Sequence, residues 1–305
     1  MRIFRNSVLG AILLTLALVA TACGGSGGDG DDTGSNGDKG SITVGSDSFP
    51  EAQIVGEMYA QVLENAGFEV ERQLDIESRE VRLPAMESGE LQVAPEYVAS
   101  LLSVIDPDAD ISGDVDEVAG TLEGVLGEKG LEILEPSAAV DTNAFVVTQE
   151  VADQSGLSAV SDLEGVASDM VLGAPAECPD RPFCIPGLKE VYNVEFGDFK
   201  ALEYGAATVQ ALSSGAVDVA LLFSTDPLID QQNLVLLEDD KGLQSADNIV
   251  PLVSSDIAED VAEILNEVSA ALTTENITQL NARVAIDAED PEDVAQEFLE
   301  EEGLI

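Results

Sequence analysis

Short apolar runs alternate with longer amphipathic stretches from residue 41 onward, and this alternation constrains the fold more than any other feature. Strands are predicted at 42–45, 68–74 and 91–94, with two stretches of helical spacing between them. In the first stretch, Ile54 and Met58 fall on one helical face. This β-α-β-α-β order predicts an α/β fold with a mostly parallel, doubly wound sheet.

A second alternation follows, with strands predicted at 145–148, 170–173 and 217–223. Beyond residue 249 the pattern turns helical, and these helices are expected to pack back on the first half. A last helix is predicted over 291–302, since Pro suits a first helical turn. Segment 95–97, which contains a Pro, is predicted to be a turn.

The two α/β halves have no long linker between them, so two chain crossings, near 140–145 and 245–250, should form a hinge. The predicted architecture is two lobes with a central ligand cleft. Lobe 1 is expected to comprise 41–141 plus 248–305, and lobe 2 is expected to comprise 142–247.

Composition excludes several classes of function. The chain has 60 acidic and 12 basic residues, a formal net charge of −48, and no His or Trp. Such a field disfavours binding to nucleic acid or to anionic membrane surfaces. Without His the commonest general base and the commonest metal ligand are both missing. No phosphate-binding glycine loop and no nucleophile with an adjacent base can be written. We therefore expect no enzyme activity, no cofactor and no metal site.

The N-terminus indicates export. Residues 1–22 combine two Arg with an apolar run and a small-residue stretch, which is typical of a signal peptide. Cys23 follows directly and resembles a lipidated lipoprotein cysteine, although a plain secretory signal is the alternative. Residues 23–40 are rich in Gly and Asp and predict a flexible tether. The expected location is the extracytoplasmic face of the membrane, held by a lipid anchor.

Cys178 and Cys184 lie in the segment 175–187, which contains four prolines. Outside the cytoplasm such a pair is most simply a disulfide, since metal binding would need two further ligands. The bond should hold the shape of this loop.

Ligands of open α/β sheets bind beyond the carboxyl ends of the strands. The candidate ligand-binding residues by this rule are Asp47, Ser48, Phe49, Arg79, Tyr97, Asn143, Phe223, Thr225 and Asp226. Seven of them have a structural alternative: helix capping for Asp47, Ser48, Thr225 and Asp226, a surface position for Arg79, core packing for Tyr97, and a turn for Asn143.

Four segments, at 44–71, 78–102, 141–148 and 211–229, resemble the glycine betaine/choline (osmoprotectant) substrate-binding proteins of ABC transporters. The cysteine loop and the glycine-rich tether resemble the actinobacterial lipoprotein branch of that family. The resemblance implies a two-lobe type II periplasmic-binding fold that closes on a small solute and delivers it to a permease with its ATPase.

Members of this family enclose a quaternary ammonium group in a cage of Tyr side chains. By motif, Tyr97 matches one cage position and Tyr204 matches another. Asn143 and Phe223 stand where relatives often have Tyr, and Asp47 replaces a frequent Lys or Asn. The resemblance therefore implies a reduced cage, and leaves a different small solute (amino acid-like or aromatic), a sensory lipoprotein or a secreted enzyme as alternatives.

Overall fold

The computed structural model describes residues 39–111, 114–245 and 247–305. The predicted signal peptide, Cys23 and most of the tether lie outside these residues. The strands are β1 Ser41–Asp47, β2 Glu69–Ile76, β3 Val93–Tyr97, β4 Leu131–Ile133, β5 Asn143–Thr148, β6 Val171–Ala174, β7 Asp198–Ala201, β8 Val219–Phe223, β9 Leu234–Leu236 and β10 Ile249–Ser254. The α-helices are α1 Pro50–Asn65, α2 Arg79–Glu87, α3 Val98–Ile105, α4 Val115–Leu126, α5 Gln149–Ser155, α6 Ile185–Tyr192, α7 Ala206–Ser213, α8 Leu228–Gln231, α9 Ala258–Ala271, α10 Thr274–Ala285 and α11 Pro291–Glu302.

The strands form two five-stranded sheets. The first sheet has the order β2-β1-β3-β10-β4, and the second has the order β7-β6-β8-β5-β9. In each sheet two neighbouring pairs are parallel and two are antiparallel. The prediction of a mostly parallel sheet is therefore wrong, because β5 and β10 run opposite to both of their neighbours.

The chain crosses between the sheets twice, before β5 and before β10. The crossings lie side by side: Asp141 N donates to Asp247 O at 3.0 Å, and Val140 pairs with Asn248 in an isolated antiparallel bridge. These positions agree with the crossings predicted from sequence. They make the connection between the sheets a narrow two-strand link.

Apolar side chains cover both faces of each sheet. On the first sheet, α1, α9, α10 and α11 pack on one face, and α2, α3 and α4 pack on the other. The C-terminal helices therefore pack on the first sheet, as predicted. Each fully buried Leu, Ile or Val in these layers contributes roughly 1.5–3 kcal/mol relative to an exposed position.

Local sequence signals account for the ends of the best-predicted helix, α11. Pro291 occupies its first turn, and the Asp290 side chain caps it by accepting from Glu292 N. Gly303 ends the helix with a φ of +73°, which is a left-handed conformation that favours glycine. The predicted helix over 291–302 is confirmed.

Two local predictions fail for the same reason. Residues 95–97, predicted to be a turn, belong to β3, and the segment after residue 249, predicted to be helical, begins with β10. Pro95 and Pro251 lie opposite each other in the β3–β10 pair. Proline removes a donor from the sheet and usually argues against an interior strand, so only the long-range pairing reveals these strands.

Candidate ligand-binding site

A cavity of about 410 Å³ lies between the two sheets. Its lining comes from the ends of β1 and β8, the start of α2, the first residue of β5, and the loop around the two cysteines. The volume falls in the range of small-molecule sites. The cavity opens where strands end, as the rule for open α/β sheets requires.

Three aromatic rings from different parts of the chain meet at this cavity. Phe49 follows β1, Phe223 ends β8, and Tyr204 precedes α7. The ring centroids of Phe49 and Phe223 are 4.9 Å apart, and those of Tyr204 and Phe223 are 4.2 Å apart and stacked. Because Phe49 comes from the first sheet and the other two come from the second, the aromatic cluster joins the sheets across the cavity.

Phe49 itself occupies the N-cap position of α1, and no side chain caps that helix end. Ser48 and Asp47 therefore do not act as helix caps. Both line the cavity instead.

Tyr97 lies behind this cluster and does not line the cavity. Its ring stacks on Phe49 with centroids 6.3 Å apart, and its hydroxyl donates to Glu51 at 2.8 Å. Only 8% of Tyr97 is exposed. The side chain therefore supports a cavity-lining ring from the interior.

Glu51 is the centre of a buried network that ties the two sheets together. Its carboxylate accepts from the Thr225 hydroxyl at 2.6 Å and from Asn281 Nδ2 at 2.8 Å. Asp141, at the first crossing, accepts from Thr225 N at 3.1 Å. Burial raises the pKa of both carboxyl groups, and for Asp141 the charge of Glu51 raises it further. Thr225 thus links Glu51 of α1 to Asp141 at the first crossing and does not line the cavity.

A second cluster, beside the cavity, pairs two arginine side chains with two carboxylates. Arg79 donates from Nε and Nη2 to Glu96, with Nη2 to Oε2 at 2.8 Å. Arg82 donates to Asp47 Oδ1 at 3.0 Å and to Glu96 Oε1 at 2.9 Å. Arg79 therefore binds a carboxylate of the protein itself rather than a ligand carboxylate.

The cysteine loop forms one wall of the cavity. Cys178 and Cys184 are joined in a disulfide with Cα atoms 5.3 Å apart, as predicted. Arg181 of this loop pairs with Glu80 of α2 at 2.6 Å. Phe183 is buried in the apolar layer of the first sheet. The loop thus reaches from the second sheet to the first.

The structure brings most of the sequence-predicted residues together. The predicted residues that line the cavity are Asp47, Ser48, Phe49, Arg79, Asn143, Tyr204 and Phe223. Tyr97 and Thr225 lie behind it. Asp226 is outside the lining and accepts from Leu228 N at 2.9 Å, but the N-cap of α8 is Pro227 and no side chain caps that helix end; burial raises the pKa of Asp226.

The candidate residues named from the sequence do not include several others that line the cavity, among them Glu177, Arg181, Phe183 and Glu203. The first three belong to the cysteine loop. The signal that could have found them is the disulfide itself, because a loop held in shape after a strand is a natural cavity wall.

The fold has two sheets with both parallel and antiparallel pairs, two adjacent crossings and a cavity between the sheets. These features define a two-lobe solute-binding protein of the type II periplasmic-binding fold. The family model that describes the substrate-binding domain of the ABC-type glycine betaine transport system matches residues 40–301. The chain belongs to this family and is the solute-binding component of an ABC importer, with an extracytoplasmic place of action. Within the described part of the chain, we find no helix with the length and apolar character needed to cross a membrane.

Named relatives agree with this assignment. The chain is 28% identical over 281 residues to the glycine-betaine-binding protein of Pseudomonas aeruginosa, covering 87% of this chain and 88% of that protein. It is 26% identical over 276 residues to the glycine betaine-binding protein YehZ of Escherichia coli K12, covering 86% and 90%. A solved glycine betaine/carnitine/choline ABC transporter structure shares the fold, with a TM-score of 0.66 at 22% identity, covering 86% and 99%.

Proposed function

We propose that the solute is a quaternary ammonium osmoprotectant of the glycine betaine/choline class. The observation that carries this proposal is the cluster of three aromatic rings, from both sheets, that lines one cavity together with several carboxylates. An aromatic face attracts a cation by roughly 0.5–2 kcal/mol for each well-placed ring. The relatives named for glycine betaine binding favour the same ligand class.

The rings also limit how such a ligand can sit. Tyr204 and Phe223 are in stacking contact at 4.2 Å, which leaves no room for a trimethylammonium group between them. The cation therefore contacts the ring surfaces that face the cavity, with Phe49 completing the wall from the first sheet.

In this proposal the two sheets are the cores of two lobes, 41–141 plus 248–305 and 142–247, that close on the ligand. Ligand contacts to Phe49 and to Phe223 belong to opposite lobes, so binding stabilises the closed form. The permease recognises that form. The protein performs no covalent chemistry, and a lipid on Cys23 holds it at the membrane.

Isothermal titration calorimetry tests the ligand. The panel comprises glycine betaine, choline, carnitine, amino acids and aromatic solutes. We expect binding of at least one quaternary ammonium compound, and at least a tenfold loss of affinity in Phe223→Ala. Phe199→Ala removes a partly buried ring of the second sheet outside the cavity and serves as the matched control. Binding of the amino acids or aromatic solutes alone would reject the ligand class.

Incorporation of labelled fatty acid in a bacterial host tests the anchor. Label should appear in the wild-type protein and disappear in Cys23→Ser. Equal labelling of the two proteins would contradict lipidation at this residue.

A further inference from the structure

The acidic residues of the cavity differ in whether the protein neutralises them. Glu77, Glu177 and Glu203 line the cavity, and their carboxylates make no ion pair or hydrogen bond with any residue that the structure describes. Asp47 also lines it but is paired with Arg82. Three carboxylates therefore line the ligand space without an ion pair to a protein cation among the described residues.

The basic residues of the cavity are, in contrast, each paired with a protein carboxylate, although Nε of Arg181 has no hydrogen-bond partner among the described residues. Arg79 and Arg181 belong to the lining. Arg79 is held by Glu96, which is fully buried, and Arg181 is held by Glu80 at 2.6 Å. Releasing Arg79 for a ligand carboxylate would leave Glu96 buried without its partner, which is costly.

Two of the hydroxyl donors are engaged as well. Both Ser100 and Ser103 line the cavity. The Ser100 hydroxyl donates to Asp247, and the Ser103 hydroxyl donates to Ser100 O at 2.8 Å. These oxygens can still accept a hydrogen bond from a ligand hydroxyl, whereas a ligand carboxylate has no proton to offer.

We propose that this site selects ligands by net charge, favouring a quaternary ammonium cation with a hydroxyl over a zwitterion with a carboxylate, and that Glu177 is a specificity-determining residue. The proposal rests on the function proposed above and adds the charge of the ligand. Choline and glycine betaine share the trimethylammonium group and differ at the other end, so they form a matched pair of probes.

Glu177 is chosen over the other two acids because of its position. It is half-buried, whereas Glu77 and Glu203 are exposed and more strongly screened by solvent. It directly precedes the disulfide-bonded Cys178, and its charge contributes to the raised pKa of Tyr204, for which burial is the larger cause. A carboxylate held beside an aromatic ring attracts the same cation that the ring attracts.

The experiment is calorimetric titration of the purified protein with choline and with glycine betaine at low ionic strength. We expect choline to bind at least tenfold more tightly than glycine betaine. In Glu177→Gln the choline affinity should fall and the ratio should shrink at least threefold. Glu190→Gln, an exposed acid of α6 outside the cavity, is the matched control and should leave the ratio unchanged.

The outcomes separate the two proposals. Tighter binding of glycine betaine, or equal binding of the pair, overturns charge selection and leaves the proposed function in place. An unchanged ratio in a folded Glu177→Gln protein overturns the role of that residue. If neither probe nor any other quaternary ammonium compound binds, the proposed function fails and this inference fails with it. The wild-type ratio tests charge selection even where the variant does not fold.

Discussion

Glu96→Gln should destabilise the protein strongly, because it removes the negative centre of a buried charge cluster. The Glu96 carboxylate is fully buried and accepts from Arg79, from Arg82 and from Tyr97 N. The neutral amide leaves two buried guanidinium groups facing each other with less compensation. Breaking a buried pair on one side costs about 3–5 kcal/mol.

The pKa of Glu96 leads to a similar magnitude. Burial opposes its ionisation, but the charges of Arg79 and Arg82 outweigh this effect and lower the pKa from 4.5 to about 2. At about 1.4 kcal/mol for each pH unit, this difference corresponds to roughly 3 kcal/mol of folded-state stability at neutral pH. Because the folded-state pKa is depressed, the contribution is complete above pH 4.5 and is lost as the pH falls towards 2.

The assay is urea unfolding followed by circular dichroism, at pH 7 and at pH 3. Glu96→Gln should lower the free energy of unfolding by about 3–5 kcal/mol at pH 7 and by less at pH 3. Glu87→Gln is the control, because its pair with Lys129 is about one-third exposed and should contribute less than about 1 kcal/mol. A loss below about 1 kcal/mol for Glu96→Gln, or a loss that is the same at both pH values, would refute the reasoning.

Three further predictions concern the loop, the crossing and the ring behind the cavity. In Gly187→Ala the new Cβ meets a backbone carbonyl of the disulfide-bonded loop, so thermal unfolding should show a loss of about 1–3 kcal/mol, whereas Gly124→Ala has open space and should not destabilise. Burial raises the pKa of Asp247 from 3.8 to about 6, so wild-type stability should fall by up to about 3 kcal/mol as the pH rises from 4 to 7. In Asp247→Asn the free energy of unfolding should change less between pH 4 and pH 7 than in the wild type. The same pH dependence in both proteins would contradict the assignment of this effect to Asp247. Tyr97→Phe removes a donor to Glu51 and should cost about 1–3 kcal/mol in urea unfolding, while the calorimetric ligand affinity stays within threefold because the ring remains. A large loss of affinity would instead place the hydroxyl in the ligand site.

Part of the candidate site could be read from the sequence because it follows strand ends. Phe49 comes after β1 and Phe223 ends β8, so the topological rule alone named both. The rule could not distinguish the residues that line the cavity from the residues that lie behind this lining. Tyr97 ends β3 in the same way, yet its side chain points to Glu51 rather than into the cavity. Side-chain direction at a strand end depends on packing that no local pattern records.

Three of the lining residues not named from the sequence, Glu177, Arg181 and Phe183, belong to a loop with no periodic pattern. Glu177 and Phe183 each directly precede one of the two cysteines, and nothing in their spacing says which will line the cavity and which will enter a core. Phe183 enters the apolar layer of the opposite sheet, a contact that exists only once both sheets are in place.

The sequence by itself determined much of the alternation of strands and helices, the ends of α11 and the bond between Cys178 and Cys184. All of these depend on neighbours close along the chain, through periodicity, capping and short loop closure. Tertiary structure alone decided that β5 and β10 run antiparallel to their neighbours. It also decided the pairing of Asn281 with Glu51, which lie 230 residues apart. Such pairings are chosen by the total burial and hydrogen bonding of the assembled sheets, so no local stretch of sequence contains them.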